Sequence, residues 1–168
     1  MIMLGRKDLP ANTVDELIEA SKKPGAKELS YGSVGAGSMY HLVAETFSRQ
    51  TGVKMLHVPY KGAAPLLTDL MGGQIDLVFM PLAGNVGSLI KEGKVKAFGV
   101  AAKQPHPLFP TLPALAASSK ALTGFEFDLW AGIEVAKNTP VTNLYLSLLD
   151  RMDVRADTLG DSTGKLEL

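Results

Sequence analysis

An α/β fold built on a mainly parallel sheet, with helices on both faces, is predicted by three features of this 168-residue sequence. Extended apolar runs alternate with segments of helical periodicity, and the crossovers between successive runs are roughly 15 to 20 residues long, too long for hairpins and suited to βαβ units. Glycine and proline fall at the junctions of these segments. One junction, within the stretch from Leu29 to Phe47, passes from a strand through a glycine-rich turn directly into a helix.

The elements follow in order. Met1 to Leu4 is an apolar run that ends a strand whose beginning is expected to lie outside the sequence. After Pro10, Thr13-Val14-Asp15-Glu16 has capping-box spacing, and Val14, Leu17, Ile18 and Ser21 share one helix face. Pro24-Gly25 stops that helix. Leu29 to Tyr31 is the next strand, after which Gly32, Gly35 and Gly37 break the backbone. Ser38 caps a helix whose apolar positions are Met39, Leu42, Val43 and Phe47, and Gly52 ends it.

A strand over Lys54 to Val58 leads into the loop Pro59-Tyr60-Lys61-Gly62. Pro65 sits in the first turn of a helix bearing Leu66, Leu67, Leu70 and Met71, and Gly72-Gly73 closes it. Ile75 to Phe79, with Asp76 inside it, is a strand; the Pro81 to Gly84 loop, a short helix through Leu89-Ile90, and a strand over Val95 to Ala101 follow. Beyond Ala102 the rhythm breaks. Pro105, Pro107, Pro110 and Pro113 make an irregular connection ending in a short helix near Leu115. Phe125 to Val135, with the only tryptophan, Trp130, is expected to be a long strand crossing the sheet, and Thr139-Pro140 to start a helix with Leu144, Leu148 and Leu149. From Asp150 the chain is charged and lacks an amphipathic period, so the tail is expected to be loosely ordered.

Composition bounds the function. Hydrophobic residues make up 46% and charged residues 20%, a globular composition. Seventeen basic residues balance seventeen acidic ones, which removes the electrostatic footprint of a nucleic-acid binder. Without cysteine there is no thiolate chemistry and no disulfide, a pattern compatible with either a cytoplasmic or a periplasmic home. No apolar run is long enough to span a membrane, and Met1 to Leu4 is too short for a signal-peptide core, so any export signal is expected to lie outside this sequence.

Ligands of open α/β sheets bind at the carboxyl ends of the strands. Three loops occupy those ends here: Ser33 to Ser38, Pro59 to Gly62, and Met80 to Gly84. In the first, glycines let the main chain approach a ligand, and the free amides of a helix N-terminus favour an anion. The candidate binding groups are the amides of Val34, Gly35, Ala36, Gly37 and Ser38 with the hydroxyls of Ser33 and Ser38; the other reading is a tight turn alone. Tyr60 can offer a hydroxyl or simply cover the sheet end, Lys61 can pair with a carboxylate or face solvent, and Met80 and Pro81 can contact a ligand or belong to the core. His41 can cap, pack or touch ligand; His57 reads as a buried, hydrogen-bonded residue, and His106 as exposed. No catalytic triad order, no nucleophile elbow and no metal-ligand spacing is found, so neither enzyme nor cofactor nor metal is expected.

Several motifs carry a resemblance. Gly35-Ala36-Gly37-Ser38 with His41-Leu42, then His57-Val58-Pro59-Tyr60-Lys61-Gly62, then Asp69-Leu70-Met71-Gly72-Gly73-Gln74-Ile75-Asp76 resemble the receptor proteins of tripartite tricarboxylate transporters, the Bug-type extracytoplasmic solute-binding proteins. The likeness continues through Gly93-Lys94, Val95 to Val100, Pro110 to Pro113 and Trp130-Ala131-Gly132. It covers residues 1 to about 145.

The resemblance implies a type II periplasmic-binding-protein-like domain from a two-domain receptor that closes around a small carboxylate. On that reading residues 1–10 cross over from a first domain not contained in this sequence, 11–124 form the ligand-binding domain, 125–150 supply the crossing strand and a return helix, and 151–168 form the tail. Closure is expected about segments near Gly5 and Ala136, with the closed form recognised by the transporter's membrane components. Apolar faces at Met1 to Leu4 and Ile133 to Val135, bared without the partner domain, imply a possible homodimer. Two departures stand out: Ala114 to Ser119 replaces a segment in which the family has a glutamate, and the tail from Asp150 no longer resembles the family. Two other classes remain open: the effector-sensing domain of a transcriptional regulator, which requires a DNA-binding segment not found here, and a truncated remnant that binds nothing.

Overall fold

Five strands, β1 (Ile2–Arg6), β2 (Leu29–Ser33), β3 (Met55–Pro59), β4 (Leu77–Met80) and β5 (Val95–Val100), form one sheet in the order β3-β2-β4-β1-β5. The computed structural model describes residues 1–127, all within a unit spanning Met1–Leu129. β2 pairs in parallel with β3 and with β4, whereas β1 is antiparallel to both β4 and β5. Strands β2 to β5 therefore share one direction, as the crossover lengths predict, and β1 runs against them.

Side-chain alternation sends the sheet's residues into two cores. Met3, Tyr31, Leu77 and Phe79 face α1 (Val14–Lys22), α2 (Met39–Thr51) and α5 (Leu115–Ser118), where Phe47, Phe79 and Phe125 pack ring to ring. Ile2, Leu4, Val78 and Met80 face α3 (Ala63–Met71) and α4 (Val86–Lys91). Helices thus cover both faces, which is why β4 is buried along its whole length and reads as a continuous apolar run.

Local chemistry explains the boundaries. Thr13 caps α1 by accepting the Glu16 amide, while Glu16 reaches back to the Asn12 amide at 2.7 Å. Gly52 ends α2 in the left-handed conformation at φ 72°, and Gly73 and Gly93 follow α3 and α4 at φ 74° and 65°.

Several sequence expectations change. Met1 to Leu4 exposes no apolar face: Ile2, Met3 and Leu4 are fully buried in the middle of the sheet. Ile2–Arg6 is an inner strand of this sheet, between β4 and β5 and antiparallel to both, and the loop after it packs on the same unit. Gly5 is paired on both sides, and a Cβ there would come within 2.7 Å of the Phe98 ring, so this unit holds it as a packed strand position. Gly32 likewise lies inside β2, beneath Ile75 and Leu66, rather than in the turn. Leu42 does not join the buried face of α2 but stands half exposed, and His106 is partly buried. Of the proposed crossing segment, Phe125 and Phe127 are described: Phe125 packs in the aromatic cluster and the Phe127 amide donates to Ala101 at 2.9 Å. The remainder of that segment, Ala136, the apolar positions at 133–135, the 139–149 helix and the tail lie outside the described residues.

Candidate functional site

With β1 set aside, the parallel strands stand in the order β3-β2-β4-β5, so the chain winds outward in both directions from the β2–β4 pair. The helix after β2 lies on one face and the helix after β4 on the other. That divergence opens a crevice at the carboxyl ends of these two strands, where open sheets bind their ligands. The loops predicted from the sequence meet there: the Tyr60 amide, just past β3, donates to Ser33 at the end of β2 at 2.8 Å.

The turn from β2 into α2 is held by a chain of internal bonds. Ser33 is fully buried, and its hydroxyl accepts the Gly35 amide at 3.1 Å, lies 3.0 Å from the Gly35 carbonyl and shares a 2.6 Å bond with His57 Nε2. Ser38 caps α2 by accepting the His41 amide, and its hydroxyl donates to the Gly35 carbonyl at 2.7 Å. The Gly37 amide donates to His41 Nδ1 at 3.0 Å, and the Ser38 amide to Gly35 at 3.2 Å. Gly35 and Gly37 adopt φ of 128° and 80°, which disfavours any side chain, and a Cβ on either would meet nothing within 4 Å. The turn needs these glycines, and the space above them is open.

This accounting separates the amides. Those of Gly35, Gly37 and Ser38 are bonded within the turn, as is the Ser33 hydroxyl, so in this structure they hold the shape of the turn. The amides of Val34, Ala36, Met39 and Tyr40 have no partner among the described residues. Met39 and Tyr40 are the first two residues of α2, where unpaired amides and the helix dipole coincide.

Beneath the turn the rings of Tyr31, His41 and His57 cluster, with His57 5.0 Å from Tyr31 and 4.2 Å from His41 and those two 6.3 Å apart; His57, read from the sequence as buried, is only partly so. Burial first, and then the neighbouring His41, hold the His57 ring below the usual histidine range against a small opposing pull from Glu45. The Tyr31 hydroxyl donates to Glu45 at 2.6 Å, and burial together with that carboxylate raises its pKa. The two histidines, both partly buried, thus brace the glycine turn through Ser33 and Gly37.

The other predicted residues divide. Tyr60 does not offer its hydroxyl outward: it donates to Asp69 of α3 at 2.8 Å, and burial with that carboxylate pushes its pKa up to about 12. Lys61 is exposed, with no partner among the described residues. Met80 and Pro81 line a cavity of about 510 Å³ together with Tyr40 and the first turns of α3. Tyr40 is the residue the sequence reading missed: it packs against the α3–α4 side, burial raises its pKa, and its hydroxyl has no partner among the described residues. Its signal was position alone, the second residue of a helix that follows a glycine turn. Among the described residues no group of His, Asp and Glu is placed to hold a metal ion.

A turn with free amides at the switch point of a doubly wound sheet defines a binding lobe of the periplasmic-binding-protein type. Residues 1–149 match the family described as "Tripartite tricarboxylate transporter family receptor", and the chain belongs to that family of solute-binding receptors. A protein from the TAR-I ttuE-ttuC' intergenic region of Agrobacterium vitis is 34% identical over 140 residues, covering 83% of this chain and 39% of its own length. Among solved structures, the periplasmic binding protein BugD is 36% identical with a TM-score of 0.68, covering 75% of this chain and 41% of that one. R. palustris Rpa4515, solved with adipate, is 34% identical with a TM-score of 0.68 over the same shares. The chain spans about two fifths of the length of these relatives. The type II periplasmic-binding fold is therefore common to the chain and its structural neighbours.

Proposed function

We propose that this chain is one ligand-holding lobe of a periplasmic receptor for a tripartite tricarboxylate-type transporter, and that it captures a small carboxylate. The observation that carries the reading is the set of unpaired amides of Val34, Ala36, Met39 and Tyr40 gathered in one turn at the β2–β4 crevice. A carboxylate satisfies several such donors at once without a cationic side chain. Ser33, Gly35, Gly37, Ser38, His41 and His57 set the shape of the turn; Tyr40, Met80 and Pro81 meet the body of the ligand, and Lys61 stays at the rim. A second lobe covers the crevice when the receptor closes, and the membrane components of the transporter recognise the closed form.

Adipate, found in the R. palustris relative, is the probe for this reading. Titrated into the isotopically labelled chain, it is expected to shift the amide resonances of Val34, Ala36, Met39 and Tyr40 with millimolar or weaker affinity, because one lobe supplies only part of the contact. Shifts confined to other regions, or none at tens of millimolar adipate, overturn it.

A further inference from the structure

One bond of the glycine turn ends on a titratable ring. Resting on the capture reading above, we infer that His41 couples capture to a proton: its protonated ring is a charged donor to the same carboxylate, so the lobe holds carboxylates more tightly as pH falls.

His41 is the third residue of α2, and its Nδ1 accepts the Gly37 amide at 3.0 Å. Nδ1 therefore carries no hydrogen, and the ring is neutral with its hydrogen on Nε2. Gly37 is exposed and His41 partly buried, so the contact lies at the surface of the turn that carries the unpaired amides. A Cβ on Gly37 would meet nothing within 4 Å, which leaves room beside it for a ligand.

A proton added at Nδ1 turns the acceptor into a donor. Two hydrogens then meet across 3.0 Å, and a carboxylate relieves the repulsion by accepting from both nitrogens. The turn survives the exchange. The Ser38 amide and hydroxyl stay bonded to the Gly35 carbonyl, and the Ser33 hydroxyl to the Gly35 amide. What changes is the donor set: the Gly37 amide joins those of Val34, Ala36, Met39 and Tyr40, and an imidazolium stands beside them.

The surroundings of the ring suit one charge. Tyr31 of β2 and His57 of β3 stack on it, with centroids 6.3 and 4.2 Å away. Glu45, one turn further along α2, accepts the Tyr31 hydroxyl and favours a cation in the stack. The turn itself, residues 33–38, has no titratable side chain. Burial and its neighbour hold His57 below the usual histidine range, so His41 is the ring left to take the proton. Linkage makes the effect mutual: the proton favours the anion by the factor with which the anion favours the proton.

Adipate titrations of the chain between pH 8 and 6 test this, followed through the turn amides and the His41 ring nitrogens. Adipate is expected to bind up to about fivefold more tightly at the acid end, the weight of one charge roughly 4 Å from an anion in water. The Gly37 amide is expected to respond to adipate far more at pH 6 than at pH 8. His41→Gln, whose amide oxygen accepts from Gly37 without titrating, is expected to lose the gain and keep only what the ionisation of adipate itself contributes. An affinity that is flat or weakens as pH falls, or a gain that His41→Gln retains, overturns the inference while leaving carboxylate capture intact. Should that variant fail to fold, a Gly37 amide indifferent to protonation of His41 in the unaltered chain overturns it equally. If adipate shifts no turn amide at any pH, capture itself fails and the inference falls with it.

Discussion

At the amino end of the sheet the polar groups are locked to one another; at the carboxyl end they are left open. Asp76, just before β4, accepts Arg6 Nε at 2.8 Å and both the amide and the hydroxyl of Ser30, at 2.8 and 2.9 Å. Lys96 Nζ donates to the Leu9 and Ala11 carbonyls and to the Asn12 side chain, tying the loop after β1 to β5. Burial pushes the Asp76 carboxyl up, but the Arg6 guanidinium and the Ser30 donors outweigh it and hold the group below the ordinary carboxylate range. At the opposite end the amides of Val34, Ala36, Met39 and Tyr40 and the Tyr40 hydroxyl have no partner among the described residues. Charged side chains thus secure one end as a structural clasp, and the other keeps donors in reserve for a ligand. Stability and binding capacity are segregated along the strands, so substitutions at the two ends should report on different properties.

The largest effect is expected from Asp76→Ala. It leaves Arg6, whose side chain is 23% exposed, with Asp8 alone, and strips Ser30 of its acceptor. Breaking a buried pair costs roughly 3–5 kcal/mol, and the partial exposure of Arg6 puts this case near about 3 kcal/mol. Urea unfolding should show that loss while the turn amides still respond to adipate. A loss under about 1 kcal/mol would mean that Asp76 is no clasp.

Gly37→Ala should cost less, about 1–2 kcal/mol, because only the backbone at φ 80° resists the new methyl group. Its sharper use is at the ligand end. Carboxylate affinity should fall in the protein that remains folded if ligand approaches the main chain there; unchanged affinity would assign the glycine to the turn alone.

The smallest effect is a pH dependence. The folded state holds His57 below its ordinary value of 6.5, so over the interval just below 6.5 the unfolded chain binds more protons than the folded one. Stability contributed by neutral His57 is complete above that value and is lost as pH falls through it toward the lowered folded pKa. A melting-temperature series from pH 8 to 5 should decline over that interval, and His57→Gln should flatten the decline. An identical slope in the variant would remove His57 as its source.

Much of the fold is legible because its signals are local. The alternation of runs and crossovers, the Thr13 and Ser38 caps, and the glycines after helices each depend on a few adjacent residues, and the structure places them where those residues require. What escaped depends on distance in sequence. Nothing in Met1 to Leu4 reveals that it lies between β4 and β5, because an apolar run does not name its partners. Arg6, Ser30 and Asp76 are unremarkable separately and become a clasp only when three elements meet. The candidate site was legible to the level of its loop, but the division of labour within it was not. The sequence offers the Ser33 hydroxyl to a ligand and leaves Tyr60 either to do the same or to cover the sheet end; the fold directs one hydroxyl to His57 and the other to Asp69, while that of Tyr40 has no partner among the described residues.

The position of β1 also sets an order of events. β1 precedes both of its partners, β4 and β5, in the sequence, and their register with it runs from Ile2 opposite Met80 and Val100 to Arg6 opposite Val95. While the chain is still growing, β2, β3 and β4 can assemble from neighbouring segments, but Ile2, Met3 and Leu4 stay uncovered on one edge until Val100 has appeared. Closing so long a loop is slow, and an apolar strand left waiting is open to association with other nascent chains. Docking of β1 within this unit therefore waits on β5, a pairing between segments far apart in sequence.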